Sequence, residues 1–134
     1  MSKIINEPHE RRVGDTAKVY SANLVYKDNS DPPADTPKPL EGRTVTFTMI
    51  NAATGAVKVN AAAATIVTAA SGIVSYDFVA ADVDTAGIYW GSFRVTESAE
   101  TDTYPASPCD GVIWIHGNDG TTAEQAYDAA VAAL

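Results

Sequence analysis

The chain has 134 residues, 46% of them apolar and 19% charged, which suits one globular domain with its own core and excludes a disordered chain. A formal net charge of −8 with only nine Lys and Arg argues against a nucleic-acid partner, because phosphate binding needs a basic surface. The lone Cys109 rules out an internal disulfide, and the polar N-terminus and lack of any apolar run near the ~20 residues of a membrane span predict neither a signal peptide nor a membrane partner.

Residues 1–13 are polar and of mixed charge, with Pro8 among them, and read as an extended arm that orders only if it finds a surface. A Gly14-Asp15 turn leads into a first strand over 16–27. Both of its faces are partly apolar, so the side turned to the core stays open. Residues 28–42, DNSDPPADTPKPLEG, carry four prolines and read as a loop without strand pairing of its own. A loop of that length in a compact domain often serves an interaction.

The segment TVTFTMIN, 44–51, is the clearest strand: Val45, Phe47 and Met49 point in, while its threonines and Ile50 point out. A hairpin at 51–55 returns through a short strand at 57–60. The run 61–70 is alanine-rich, but its β-branched Thr65, Ile66, Val67 and Thr68 predict a strand. Strands at 73–79 and 87–96 follow around a corner that holds Asp82 and Asp84. On the second of these, Tyr89, Gly91, Phe93 and Val95 share one face, which leaves Ile88 and Trp90 on the other.

Residues 97–103 read as a polar, acidic loop, 104–109 as irregular because of Pro105 and Pro108, and VIWIH, 112–116, as a last short strand. Thr121 or Thr122 then caps a helix running to Ala133, with Glu124 three residues after Thr121 as in a capping box. Ala123, Ala126, Tyr127, Ala130, Val131 and Leu134 recur at helical spacing. A lone helix of this length is marginal in water, so the stripe needs a cover, either the parent domain or a neighbouring partner.

The reactive inventory is short. His9 and His116 lie far apart without a cysteine cluster, so zinc spacing is missing. Neither the Asx-rich stretches nor the glycines match a calcium loop, a phosphate loop or a nucleophile elbow. Paired aspartates such as Asp82 and Asp84 occur at corners, where Asp bonds its own backbone. No catalytic, cofactor or metal residue is expected, and the chain reads as a non-enzyme. Outward apolar groups are the more telling feature, because aromatics concentrate at the centres of interfaces. An outward Trp90 is either covered by the chain's own loop or helix, or serves as a contact anchor.

The corner Asp84-Thr-Ala-Gly-Ile-Tyr89 resembles the D-x-[AG]-x-Y corner of immunoglobulin-like domains, although its Asp stands one residue further from the Tyr and Gly91 occupies the usual cysteine position. Gly14-Asp-Thr-Ala17, Leu40-Glu-Gly-Arg-Thr-Val-Thr-Phe47, Thr54-Gly55, Ser71-Gly72-Ile-Val-Ser-Tyr76, Ala80-Ala-Asp82 and Phe93-Arg-Val95 extend the pattern. The succession, over about 14–116, is similar to the immunoglobulin-like domains of tailed-bacteriophage structural proteins, in particular the N-terminal domain of baseplate upper proteins. The resemblance implies a virion component, assembled in the host cytoplasm, with no catalytic residue or cofactor.

The resulting expectation is all-β: an immunoglobulin-like antiparallel β-sandwich over 14–116, an N-terminal arm over 1–13, and a linker and short C-terminal helix over 117–134. Its expected role is a structural subunit of a tail, baseplate, connector or capsid surface, docked to other virion proteins as a homo-oligomer or symmetric array. The candidate contact residues are Ile88, Trp90, Ile50, Pro32, Pro33, Pro37, Tyr127, Val131 and Leu134. The alternative is a module that recognises a host-surface glycan or protein.

Overall fold

A computed structural model of the chain describes residues 2–5, 9–16, 19–27, 34–104 and 111–134. It contains two sheets and one C-terminal helix, so the all-β expectation holds at that level. One sheet has five strands: β1 (Ser2–Ile5), β3 (Tyr20–Lys27), β4 (Asp35–Pro37), β7 (Thr65–Thr68) and β8 (Ile73–Tyr76), in the order β1-β3-β8-β7 with β4 also on β3. The other has six: β2 (His9–Arg12), β5 (Thr44–Asn51), β6 (Val57–Ala63), β9 (Gly87–Glu97), β10 (Glu100–Tyr104) and β11 (Val112–His116), in the order β2-β11-β9-β5-β6 with β10 also on β9. The helix α1 spans Ala123–Ala132, and among the described residues no helix is long and apolar enough to cross a membrane.

The side-chain alternation decides which faces meet. Along β5, Val45, Phe47 and Met49 are buried, and along β9 Tyr89, Phe93 and Val95 are. On β3 the open choice resolves to Tyr20, Ala22 and Leu24 inward. Aromatic rings from both sheets pack between them: Tyr20 stacks on Phe93 at 5.7 Å, Phe47 stacks on Tyr76 at 4.6 Å, and Phe78 meets Phe47 edge-on at 5.9 Å. Such a cluster buries large apolar area, the dominant favourable term of folding. At the centre, a Cβ on Gly91 would lie 2.8 Å from Ile113 Cδ1 and 3.0 Å from the Phe47 ring, so the core closes over a missing side chain.

Several expectations need correction. The N-terminal residues, expected as an arm in search of a surface, find it in both sheets: β1 runs antiparallel to β3, and β2 runs parallel to β11. Their polar sequence hid this, because a strand needs backbone partners before it needs apolar side chains. The Pro-rich stretch is not free of pairing, since Asp35–Pro37 pairs antiparallel with the end of β3. There β4 continues the line of β8, and Gly72 sits at the junction with φ +68°; a Cβ on it would lie 2.6 Å from the Leu24 carbonyl oxygen. The acidic stretch after β9 is a tight turn into β10, which pairs with the second half of β9 while β11 pairs with the first half.

The alanine-rich run is likewise divided. Its first residues extend β6 in the six-stranded sheet, and Thr65 begins β7 in the five-stranded one. The chain crosses between the layers near Ala64, whose N–H donates to the Val45 carbonyl (3.0 Å). The strand expected over 73–79 ends at Tyr76, and the first strand begins at Tyr20.

The helix begins at Ala123 with Thr122 as N-cap: Thr122 Oγ1 accepts from the Gln125 N–H (3.2 Å) and Gln125 Oε1 accepts from the Thr122 N–H (3.0 Å). The reciprocal box therefore pairs Thr122 with Gln125, not Thr121 with Glu124, because the side-chain oxygen must reach the third helical N–H.

The corner before β9 is tied twice. Tyr89 Oη donates to the Thr85 carbonyl at 2.8 Å. Within the one-turn 3-10 helix Ala80–Val83, the nearly buried Asp82 carboxylate accepts from Tyr76 Oη (2.8 Å) and from the Val79 N–H (3.0 Å). Burial and that bond push Tyr76 up to about 12. Burial also raises Tyr89. Asp84 takes the other course: its side chain pairs with Lys58 Nζ and accepts from Thr85 Oγ1 (2.9 Å), which holds it below the usual carboxylate range.

Candidate interaction surface

The outer face of the six-stranded sheet changes character along its strands. Register places Val57, Ile50, Trp90 and Val112 side by side across β6, β5, β9 and β11. The neighbouring row sets Ile88 beside Trp114 and Glu10. Toward the other end the same face becomes hydroxyl-rich: Thr48 beside Ser92, Thr46 beside Arg94 and Thr103, and Thr44 beside Thr96 and Thr101. The apolar half is where α1 packs, against β9 and β11.

Ile50, Ile88, Trp90 and Trp114 are accordingly half-buried, not bare. Just past them, Thr48, Ile50, Trp90, Gly91 and Ser92 line a pocket of ≈ 120 Å³, about the size of one apolar side chain. Ala123 is fully buried, and Ala126, Tyr127 and Ala130 are half-covered. Val131 and Leu134, on the same stripe, remain 43% and 80% exposed, and Val57 at the other flank is 58% exposed. The face thus carries a covered apolar centre with uncovered apolar groups on either side.

His116 joins three elements at the start of α1. Its Nδ1 accepts from the Ala123 N–H at 2.9 Å, and its Nε2 lies 3.1 Å from Glu10 Oε1 on β2. A ring nitrogen that accepts holds no proton, so the ring is the neutral Nε2–H tautomer and donates to Glu10. The Ala123 N–H is one of the first helical donors, which have no partner within the helix, and His116 supplies one.

The opposite feature is a shallow depression of ≈ 500 Å³ at the end of the sandwich, lined by Val13, Thr85, Ala86, Gly117, Asn118, Asp119 and Thr121. Asn118 Nδ2 donates to the Val13 carbonyl (2.9 Å), and Asp119 Oδ1 accepts from the Thr121 N–H (3.0 Å), which lowers the Asp119 carboxyl. Among the described residues no three His, Cys, Asp or Glu side chains gather to hold a metal ion.

Of the candidate contact residues, Ile50, Ile88, Trp90, Tyr127 and Val131 belong to this sheet-and-helix assembly, with Leu134 just beyond the helix. Pro37 is exposed on β4, in the other sheet. Pro32 and Pro33 lie outside the described residues, as does Cys109. Trp114, Glu10 and His116 were not singled out as contact groups. Alternation along VIWIH is the signal that puts Trp114 and His116 on one outward face with Val112. No protein-family model matches this sequence, and no curated protein matches it.

Proposed function

We propose that the chain is an immunoglobulin-like domain that acts as a non-enzymatic structural subunit of a phage virion, through docking to other virion proteins and to copies of itself. The fold part of this reading draws on three features. The order β1-β3-β8-β7 facing β11-β9-β5-β6 parallels the two immunoglobulin sheets, the N-terminal segment gives one strand to each layer, and the Tyr89 hydroxyl ties back to Thr85 at the corner. The role in a particle draws on the turn and packing motifs over 14–116 and their resemblance to phage structural domains.

The single observation behind the docking role is the outer face of the six-stranded sheet. Apolar groups flank its covered centre on both sides, and a side-chain-sized pocket opens beside Trp90. A weak contact at such a face becomes strong attachment when symmetry arrays many copies. Replacing Trp90 with Ser, and separately deleting residues 121–134, is expected to leave folded proteins that no longer enter particles. If both variants fold and assemble normally, this face is not the docking site.

A second reading, a module for a host-surface glycan or protein, is favoured by the ≈ 500 Å³ depression among polar loops at one end of the sandwich. It predicts that the isolated monomer binds that surface and that Asn118→Ala or Asp119→Ala abolishes binding.

A further inference from the structure

We infer that His116 is a pH-sensitive latch on the C-terminal helix, and that its protonation frees the start of α1 from the six-stranded sheet. The inference stands on which atom accepts. His116 Nδ1 is bonded to the Ala123 N–H, so a proton can be added to the ring only at the atom that holds the helix. The protonated ring then turns an N–H toward another N–H, and the hydrogen bond is replaced by a repulsion. The new charge also lies against the positive end of the helix dipole, where cations are disfavoured.

The charged groups on the surrounding elements do not all act in one direction. Glu10 on β2, bonded to Nε2, favours the protonated ring. Arg12, the strand partner of His116 on β2, opposes it. Asp119 in the linker and Glu124 and Asp128 on the helix are exposed, so water screens their pull. The Nδ1 geometry sets the consequence of protonation: the ring keeps Glu10 and loses Ala123.

The helix is a suitable moving part. It is ten residues long, has its own cap in Thr122 and Gln125, and is joined to β11 by a short linker containing Gly117 and Gly120. A helix that short is marginal without its packing face. Its departure bares the outer faces of β9 and β11, the strands it packs on, where Ile88 and Trp114 lie side by side.

Hydrogen exchange of the α1 amides and tryptophan fluorescence, on the full chain, test this between about pH 8 and about pH 5, the range in which histidine changes charge. Corrected for intrinsic exchange, the helix amides are expected to open roughly tenfold more often at the lower pH, in keeping with loss of one hydrogen bond, while β5 and β9 stay protected. Emission from Trp90 and Trp114 should shift to the red in parallel. His116→Asn, whose Oδ1 can accept from Ala123 and does not titrate, should keep the helix docked and flatten both responses. Glu10→Gln should move the wild-type transition to lower pH. Helix protection that is unchanged across this range in the wild type, or an equal pH response in His116→Asn, overturns the inference. The wild-type titration decides the matter even if a variant folds poorly.

Discussion

The two ends of the chain are attached to the sandwich by different physics. The N-terminal residues are woven in by backbone: β1 and β2 add hydrogen-bonded ladders to opposite sheets, and the nearly buried Arg11 sets its guanidinium 4.1 Å from the centre of the Phe78 ring and donates to the Asp15 carbonyl at 2.7 Å. The C-terminal helix satisfies its backbone internally and is held by an apolar stripe and the His116 bond. A strand that leaves a sheet exposes its partner's donors and acceptors as well as its own, whereas a helix that leaves takes its hydrogen bonds with it. The first attachment belongs to the folding unit, and the second can open locally.

The largest expected effect is a contrast of deletions. Removing residues 1–13 should cost several kcal/mol in denaturant unfolding, at roughly 1 kcal/mol for each ladder hydrogen bond lost, together with the Arg11 contact over Phe78. Removing residues 121–134 leaves every strand pairing in place and should cost less than half as much. Equal costs would erase the distinction.

Next in size is alkaline lability. Tyr76 is pushed up to about 12 and Tyr89 is raised, each above the ordinary tyrosine value of about 10. The folded state therefore holds these protons more tightly than the unfolded state. That stability is fully present below about pH 10 and is lost as pH rises through about 12. Denaturant midpoints followed alongside tyrosinate absorbance should fall in this window, and the fall should shrink in Tyr76→Phe.

A smaller effect belongs to the corner. Tyr89→Phe keeps the buried ring and removes only its bond to Thr85, with an expected loss of about 1 kcal/mol in global stability. The smallest change concerns the helix alone. Thr122→Ala removes the cap at a local cost of about 1 kcal/mol, read as faster α1 exchange with an unmoved global midpoint. A global midpoint that shifts as much as in Tyr89→Phe would tie the helix to the folding unit.

Legibility followed the source of each element's stability. β5 and β9 were readable because they lie in the middle of a sheet with one face on the core, so burial imposes a two-residue rhythm on their side chains. The helix was readable because capping and spacing are local, although the capping pair shifted by one residue. β1, β2, β4 and β10 were missed together. They are short, mostly polar strands with proline or charge among them, so no apolar rhythm marks them; β2 takes its partner from the far end of the chain, while β4 and β10 pair with the strand before them. At the candidate surface, the outward position of Trp90 followed from alternation, but its half-burial did not.

The sequence by itself determined the inward set on β5 and β9, the corner that turns into Tyr89, and the capped helix at the end, because each depends on residues a few positions apart. Only the tertiary structure decided that the N-terminal segment serves both sheets, that the alanine-rich run crosses from one layer to the other, and that His116 holds Glu10 and the helix at once. Those outcomes depend on backbone groups and side chains far apart along the chain finding one another, as His116 and Glu10 do across 106 residues, and no local pattern carries that information.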